Sequence, residues 1–243
     1  MHHRDLLAFL MKLRQGVAHD FLRVICGYPS RQSASMFVSI VRKNLMKTFV
    51  PFFLGLQAHP RQEYITEFVT DFAQKLYNPD PQVKRAIMIV DATYIYIQKS
   101  SNYRVLRQSF SMHKGRHLDK PVLLVSPSGR ILDVHGPYFA DGRNNDASIL
   151  IEEMSKDRSE LREWCRTGDI FLVDRGYRNS LDFLQGIGIS AFTPAYMDRG
   201  AKQLKYEQAN ISRYVTVTRW KVESRNGHIK NVFKFKCVLH LGR

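Results

Sequence analysis

Apolar residues at helical spacing dominate the first part of the chain. Residues 4 to 15 carry an apolar face and are followed by Gly16, and a shorter amphipathic stretch over about 18 to 26 is followed by Gly27. A third helix is predicted from Ser30, a suitable N-cap, to about Lys47. Short helix, glycine turn and capped helix is the outline of a helix-turn-helix. A three-helix packing module with a solvated face remains an alternative.

The early positions of the third helix carry polar side chains of types that reach base edges in a major groove: Arg31, Gln32, Ser33 and Ser35. A further helix is predicted over residues 61 to 77, with a stripe that we interpret as core: Tyr64, Ile65, Phe68, Phe72 and Leu76. The segment Asn78–Pro81 is a stop signal. We therefore divide the chain into a helix-turn-helix module (1–50), a helical connector (51–85) and an α/β domain (86–243).

The α/β domain alternates apolar runs with helical patterns. Ala86–Ile97 has the composition of a strand buried on both faces, and PVLLV and RILDVHG form a hairpin around Ser126–Gly129, with Pro137 ending the second strand. Asp146 opens a helix predicted to reach about Arg166. Two later strands, 169–174 and 187–192, alternate with helices, as parallel strands do. This order predicts a mixed five-stranded sheet with helices on both faces, the ribonuclease H-like layout.

Three acids stand out in this domain. Asp91 interrupts an apolar strand, where an unpaired carboxylate would be costly, so it requires a hydrogen-bond network, a cation or a metal. Asp174 ends another apolar run, and Glu223 is the acid of a basic helical stretch, 219–231. A structural aspartate tied into backbone amides remains an alternative for Asp91. Together the three acids suggest a carboxylate cage for Mg²⁺, and two such ions suit an in-line phosphoryl displacement.

Polar residues near these acids are candidate DNA contacts. On the helix of Glu223, Arg219, Asn226 and Lys230 share its side. Lys114 and Arg116 flank Gly115 in a segment that we expect to be a mobile loop near the cleft, or else a merely solvated loop. Asp146 is expected to act first as a helix N-cap or first-turn acid rather than as a metal ligand, and His135 as a satisfied sheet histidine.

The charge of the whole chain supports a polyanionic partner. Lys and Arg number 37 against 22 Asp and Glu, a formal net charge of +15. No apolar run approaches the roughly 20 residues that span a bilayer, which makes a membrane the weaker candidate. The three cysteines, Cys26, Cys165 and Cys237, are scattered, which argues against a disulfide framework and a zinc site and fits a reducing compartment.

The acidic motifs resemble those of the DDE superfamily endonucleases of the PIF/Harbinger type, which are transposase-derived nucleases. Asp91-Ala92-Thr93 resembles the family's Asp-Gly-Thr strand, Asp174-Arg175-Gly176-Tyr177 its Asp-x-Gly-Tyr/Phe turn, and Glu223 to Lys230 its Glu-x-x-Asn-Gly-x-x-Lys helix. The segment 130–148 and the N-terminal helices also resemble the corresponding family regions. Ala92 departs from the usual glycine. The chain also ends about 20 residues after Glu223, so we expect the nuclease domain to be short at its C-terminus.

The resemblance implies a ribonuclease H-like fold and DNA cleavage and strand transfer that depend on Mg²⁺ or Mn²⁺. Asp91, Asp174 and Glu223 are then the catalytic and metal-binding residues. It further implies a nuclear location, a Myb-like DNA-binding partner and, as an open alternative, a homo-oligomer. Two competing hypotheses are a transposase-derived DNA-binding protein without catalysis and a ribonuclease H-like nuclease acting on RNA–DNA hybrids or junctions.

Overall fold

The computed structural model describes residues 3–156, 159–197, 200 and 203–233. Its first three helices, α1 His3–Gln15, α2 His19–Cys26 and α3 Arg31–Thr48, pack around a small core of their own that includes Leu22 and Tyr28. Gly27 ends α2 with a φ of 66°. Ser30 Oγ accepts a hydrogen bond from Ser33 N at 3.1 Å, and Ser30 N donates to Ser33 Oγ at 3.0 Å. The predicted Ser30 cap is therefore confirmed, and the three predicted helices are present.

The connector is more broken than predicted. It consists of α4 Val50–Phe53, α5 Arg61–Glu63, a π-helical turn Tyr64–Phe68 and α6 Asp71–Tyr77. The single helix expected over 61–77 is wrong, because Val69 is extended and Thr70 Oγ1 caps a new helix by accepting from Ala73 N at 3.3 Å. Tyr64 remains buried and donates to Ile87 O at 2.7 Å, which ties the connector to the sheet. Phe72, expected in the core, lies after this break and is 55% exposed.

A mixed sheet forms the centre of the α/β domain. Its strands are β1 Ile87–Ala92, β2 Ile95–Tyr96, β3 Phe110–Ser111, β4 Arg116–Val125, β5 Ile131–Phe139, β6 Ile170–Leu172 and β7 Ser190–Phe192. Five of them follow the order β5-β4-β1-β6-β7, with β4 antiparallel to β5 and β1, and β6 parallel to β1 and β7. The predicted mixed sheet is confirmed. Its predicted strand count is wrong, because the two-residue strands β2 and β3 also pair with β4 and make seven.

The hairpin extends further than its proline suggested. β5 continues past Pro137 to Phe139 and keeps pairing with β4 at Asp119 and Lys120. Among the described strands, β5 pairs only with β4. A proline can therefore lie on this edge strand without interrupting a second ladder of hydrogen bonds. The prediction that Pro137 ends the strand is wrong for this reason.

Helices flank the sheet. They are α7 Tyr103–Ser109, α8 Asp146–Ser155, α9 Glu160–Trp164, a 3₁₀ helix Arg175–Ser180, α10 Leu181–Gly186 and α11 Tyr206–Val232. The helix predicted from 146 to 166 is divided, because Lys156 is extended and Ser159 caps α9. α11 buries Val215 and Val222 in the sheet's core. Within the described residues, no helix has the length and apolarity to cross a membrane.

Candidate active site

The Asp91 carboxylate lies at the end of β1 in a largely buried setting. Asp91 is paired with Leu123 of β4, and its side chain is 17% exposed. Burial raises its pKa to about 6, Arg219 opposes this shift, and the charges of the neighbouring acids Asp174, Asp146 and Glu223 add to it. Asp91 is thus held in a cluster of like charge that one arginine only partly compensates.

The register of the parallel strands brings the second acid to the same edge of the sheet. Ile89 of β1 is paired with Leu172 of β6, and two residues further along the two chains are Asp91 and Asp174. Asp174 precedes the 3₁₀ helix in an extended conformation, and its side chain is 51% exposed. The two aspartates that the sequence predicted to be neighbours therefore lie side by side at the carboxyl ends of adjacent parallel strands.

Helix α11 brings the third acid. Arg219 Nη2 is 3.1 Å from Asp91 Oδ1, and Arg219 Nη1 is 3.5 Å from Asp174 Oδ1 and 3.8 Å from Glu223 Oε1. The last two contacts share one nitrogen, so those carboxylate oxygens are at most 7.3 Å apart. Glu223 lies one helical turn after Arg219, which explains why one guanidinium reaches both it and the two strand acids. We call this group, Asp91, Asp174, Glu223 and Arg219, the acid centre.

Several polar atoms around the acid centre have unused hydrogen-bonding capacity. Asn226 Nδ2 donates to Asp91 Oδ2 at 3.1 Å, which fixes the orientation of the amide. Asn226 Oδ1, Arg219 Nε and the Tyr177 hydroxyl are buried and have no hydrogen-bond partner in the part of the chain that the structure describes. Tyr177 lies close enough for Asp146, Asp91 and Arg219 to influence its pKa, which burial raises. Buried polar groups normally have partners, so these atoms can accommodate a water, an ion or another polar group.

A lysine and a fourth acid adjoin the acid centre, and the sequence reasoning missed this pair. Lys120 of β4 is 6% exposed, and its Nζ lies 2.5 Å from Asp146 Oδ1 and donates to Asn144 O at 2.8 Å. Asp146 is the first residue of α8, as predicted, but Asn145 caps the helix by accepting from Ser148 N at 2.9 Å. The one available signal was an isolated lysine inside an apolar strand, which implies an acidic partner.

The predicted metal ligands fit a hard cation in chemistry but do not yet form a cage. Over residues 3–156, 159–197 and 203–233, no three histidine, cysteine, aspartate or glutamate side chains are grouped closely enough to hold a metal ion. The Arg219 guanidinium lies among the three acids instead. Carboxylates and an amide oxygen are nevertheless oxygen ligands of the kind that a hard cation such as Mg²⁺ takes. The uncompensated charge around Asp91 also favours a cation there.

The predicted DNA contacts fall into three places. Arg219 and Asn226 are buried against the acids rather than exposed, and Lys230 lies in the last turn of α11. Lys114 is exposed in the turn after β3, and its Nζ is 5.5 Å from the ring centre of Tyr94. Arg116 was expected in a loop, but it is the first residue of β4, because β3 pairs with this end of the strand. Its guanidinium carbon lies 5.4 Å from the centre of the Tyr96 ring.

The remaining predicted contacts belong to the N-terminal module. Arg31 and Gln32 are exposed in the first turn of α3, where Arg31 also forms an exposed ion pair with Asp20 at 3.6 Å, and Ser35 is half-buried. His135 is a partnered sheet histidine, as predicted, with Glu153 and Asp133 carboxylates each 3.1 Å from a ring nitrogen.

Comparison with known proteins identifies the family. No curated protein matches the chain. The family model for DDE superfamily endonucleases matches residues 90–240, more than half of the sequence, and this range contains Asp91, Asp174 and Glu223. It begins within β1 and includes all of the later strands. The chain therefore belongs to the DDE superfamily endonucleases.

Proposed function

We propose that this chain is a DNA endonuclease of the PIF/Harbinger transposase type that depends on Mg²⁺ or Mn²⁺. Its catalytic and metal-binding carboxylates are Asp91, Asp174 and Glu223. The observation that carries the proposal is the convergence of all three acids, from two strands and a helix, within 3.8 Å of one guanidinium. Membership in the DDE superfamily endonucleases supports the reaction class.

We further propose that the α/β domain is a ribonuclease H-like fold. The order β5-β4-β1-β6-β7 supports this, since three antiparallel strands are followed by two parallel ones. In this layout the first strand, here β1, is central, and its carboxyl end adjoins that of the fourth strand of the layout, here β6. Acids at these two ends, completed by one from a packed helix, give a site that no single segment could form.

The acids of this site would hold two divalent ions, which when bound activate a water or a 3′-hydroxyl and stabilise the leaving oxygen of a phosphodiester. The chain's own side chains would orient the carboxylates and bind the phosphates of the DNA. Asn226 holds one oxygen of Asp91, leaving the carboxylate in a fixed plane. Arg219 is within reach of both strand acids and is suited to a phosphate oxygen, because a guanidinium binds carboxylate and phosphate alike. Lys114 and Arg116 would bind the DNA backbone on the adjoining surface.

For residues 1–50 we propose a helix-turn-helix that positions the DNA. The glycine turn between α2 and α3 and the reciprocal Ser30–Ser33 cap support it, as do the exposed side chains of Arg31 and Gln32 at the start of α3. A nuclear location, a Myb-like partner protein and a homo-oligomeric form belong to the same proposal.

Plasmid nicking tests the catalytic proposal. Supercoiled DNA incubated with the full chain and Mg²⁺ or Mn²⁺ should be converted to the nicked form, and a chelator should stop the reaction. Asp91→Asn, Asp174→Asn and Glu223→Gln should each reduce the rate to background, because each removes a metal-binding carboxylate. Asp71→Asn is the matched control, since Asp71 is an exposed acid of α6. Equal nicking by all four variants would refute the assignment.

A transposase-derived DNA-binding protein without catalysis is the second candidate. The placement of Arg219 favours it, because the guanidinium already partly compensates the three acids. The net charge of +15 accounts for DNA binding on its own. This candidate predicts that a folded sample binds DNA in a salt-sensitive manner, with no effect of chelator and no nicking.

A further inference from the structure

A cavity lies away from the acid centre, between α7, β3 and the residues that follow β5. It has a volume of about 510 Å³, within the range of about 300–1,000 Å³ that is usual for small-ligand sites. Tyr103, Phe110 and Met112 supply apolar surface, and all three are exposed, Tyr103 by 76%. An exposed aromatic wall of this size suits a flat ligand.

The remaining lining of the cavity carries mostly positive charge. Lys99 and Arg107 are exposed, and neither forms an ion pair with a carboxylate within the described residues. The carboxylate of Asp141 also lines the cavity, but it accepts hydrogen bonds from the backbone N–H groups of residues 143 and 144 at 3.2 and 3.1 Å. Among the described lining residues, two positive charges face one negative charge, and this excess suits an anion.

His117 gives the cavity a fixed wall. Its Nδ1 lies 3.0 Å from Ser109 Oγ, and its ring packs edge-on against Phe110 with 5.2 Å between centroids. Aromatic surface beside cations is the combination that binds single-stranded nucleic acid, because bases stack on rings while phosphates pair with Lys and Arg.

Strand β4 connects the cavity with the acid centre. Leu123 of β4 is paired with Asp91, and His117 lies six residues earlier on the same strand, which corresponds to about 20 Å. The segment just before His117 carries Lys114 against Tyr94 and Arg116 against Tyr96. One strand of double-helical DNA advances about 3.4 Å per nucleotide, so this distance corresponds to about six nucleotides of stacked DNA.

We infer that the cavity binds one unpaired nucleotide of the DNA strand that is held at the acid centre, about six nucleotides from the bond that is cleaved. The base lies against Tyr103 and Phe110, and its phosphate pairs with Lys99 and Arg107. The inference rests on the proposed DNA substrate and adds to it a preference for DNA with a single-stranded segment.

Fluorescence anisotropy with two labelled DNAs in the presence of a chelator tests this inference. One is a blunt duplex, and the other is the same duplex with a single-stranded tail of about eight nucleotides. The native chain should bind the tailed DNA about tenfold more tightly, as one stacked base and its phosphate contact would provide. Tyr103→Ala and Arg107→Ala should each lose this preference, and Tyr103→Ala should leave binding to the blunt duplex within about twofold of native.

Tyr206→Ala and Lys75→Ala are the matched controls, because Tyr206 is 82% exposed and Lys75 is also exposed, and neither lines the cavity. Both controls should keep the preference for tailed DNA. Equal binding of the two DNAs by the native chain, or a preference that survives both cavity variants, would overturn the inference. The anisotropy assay needs no catalysis, so its outcome is separate from that of the nicking assay. If the cavity does not bind a nucleotide, nicking can still occur. If the chain has no nuclease activity, its preference for tailed DNA can still be measured.

Discussion

Replacing Asp91 with asparagine should make the metal-free protein more stable while it abolishes nicking. Asp91 is 17% exposed, and its pKa is raised to about 6 by burial and by neighbouring acids, against a usual 3.8. One pKa unit corresponds to 1.36 kcal/mol, so ionised Asp91 costs the fold about 3 kcal/mol at neutral pH. The raised pKa already includes the attraction of Arg219. Asparagine avoids this cost but weakens the hydrogen bond from Asn226, which leaves a net gain of about 1–2 kcal/mol.

The sign of the effect depends on pH in a definite way. Because the folded pKa of Asp91 is the higher one, the folded state holds this proton more tightly than the unfolded chain does. The stabilisation from the protonated carboxyl is present below pH 3.8 and is lost as the pH rises through about 6. The advantage of Asp91→Asn should therefore be smallest near pH 4 and reach its maximum above pH 7.

Thermal unfolding followed by circular dichroism, with chelator present, measures this difference. For a chain of this size we expect the Tm of Asp91→Asn to exceed the native Tm by about 2–8 °C at pH 7.5. Asp71→Asn, at a side chain that is 84% exposed, should leave the Tm unchanged. A lower Tm for Asp91→Asn at pH 7.5, or a gain that does not shrink on acidification, would refute the reasoning that Asp91 is an incompletely compensated buried acid.

Three further substitutions test the structure outside the acid centre. Ser30→Ala removes the cap of α3 and should lower the free energy of unfolding by about 1 kcal/mol in urea titrations. Burial lowers the pKa of His135, but its two carboxylate partners outweigh this effect and raise it. His135→Gln should therefore cost most stability below pH 6.5 and progressively less as the pH rises through the raised pKa, with His113→Gln at an exposed position as the control. Asp169→Ala leaves the largely buried Arg61 without its carboxylate and should cost about 3–5 kcal/mol, measured by chemical denaturation.

Much of the secondary structure could be predicted because its signals are local. The Ser30 cap, the glycine turn before it and the apolar runs of β1, β4 and β6 each depend on residues a few positions apart. The adjacency of Asp91 and Asp174 also followed, since parallel strands that alternate with helices align their carboxyl ends. The breaks at Val69 and Lys156 did not follow, because apolar residues at helical spacing occur on both sides of each break. The residues that cap the next helices, Thr70 and Ser159, also fit within a continuous helical pattern.

The composition of the site was less predictable than its acids. Arg219 was expected to face DNA, and the structure turns it toward three carboxylates that come from distant segments. Lys120 and Asp146 meet only because β4 and the start of α8 pack together. The nucleotide-sized cavity likewise combines α7, β3 and the residues after β5. Each of these depends on tertiary distances, which neither periodicity nor spacing encodes.

The dispersed origin of the acid centre has a consequence for the cell that makes this protein. β1, β6 and α11 must all be in place, and parallel pairing between distant segments forms late in folding. A nascent or misfolded chain therefore lacks the assembled set of carboxylates. Under the proposed function, the site for DNA cleavage is complete only when synthesis and folding are finished, so the architecture itself would delay cleavage until then.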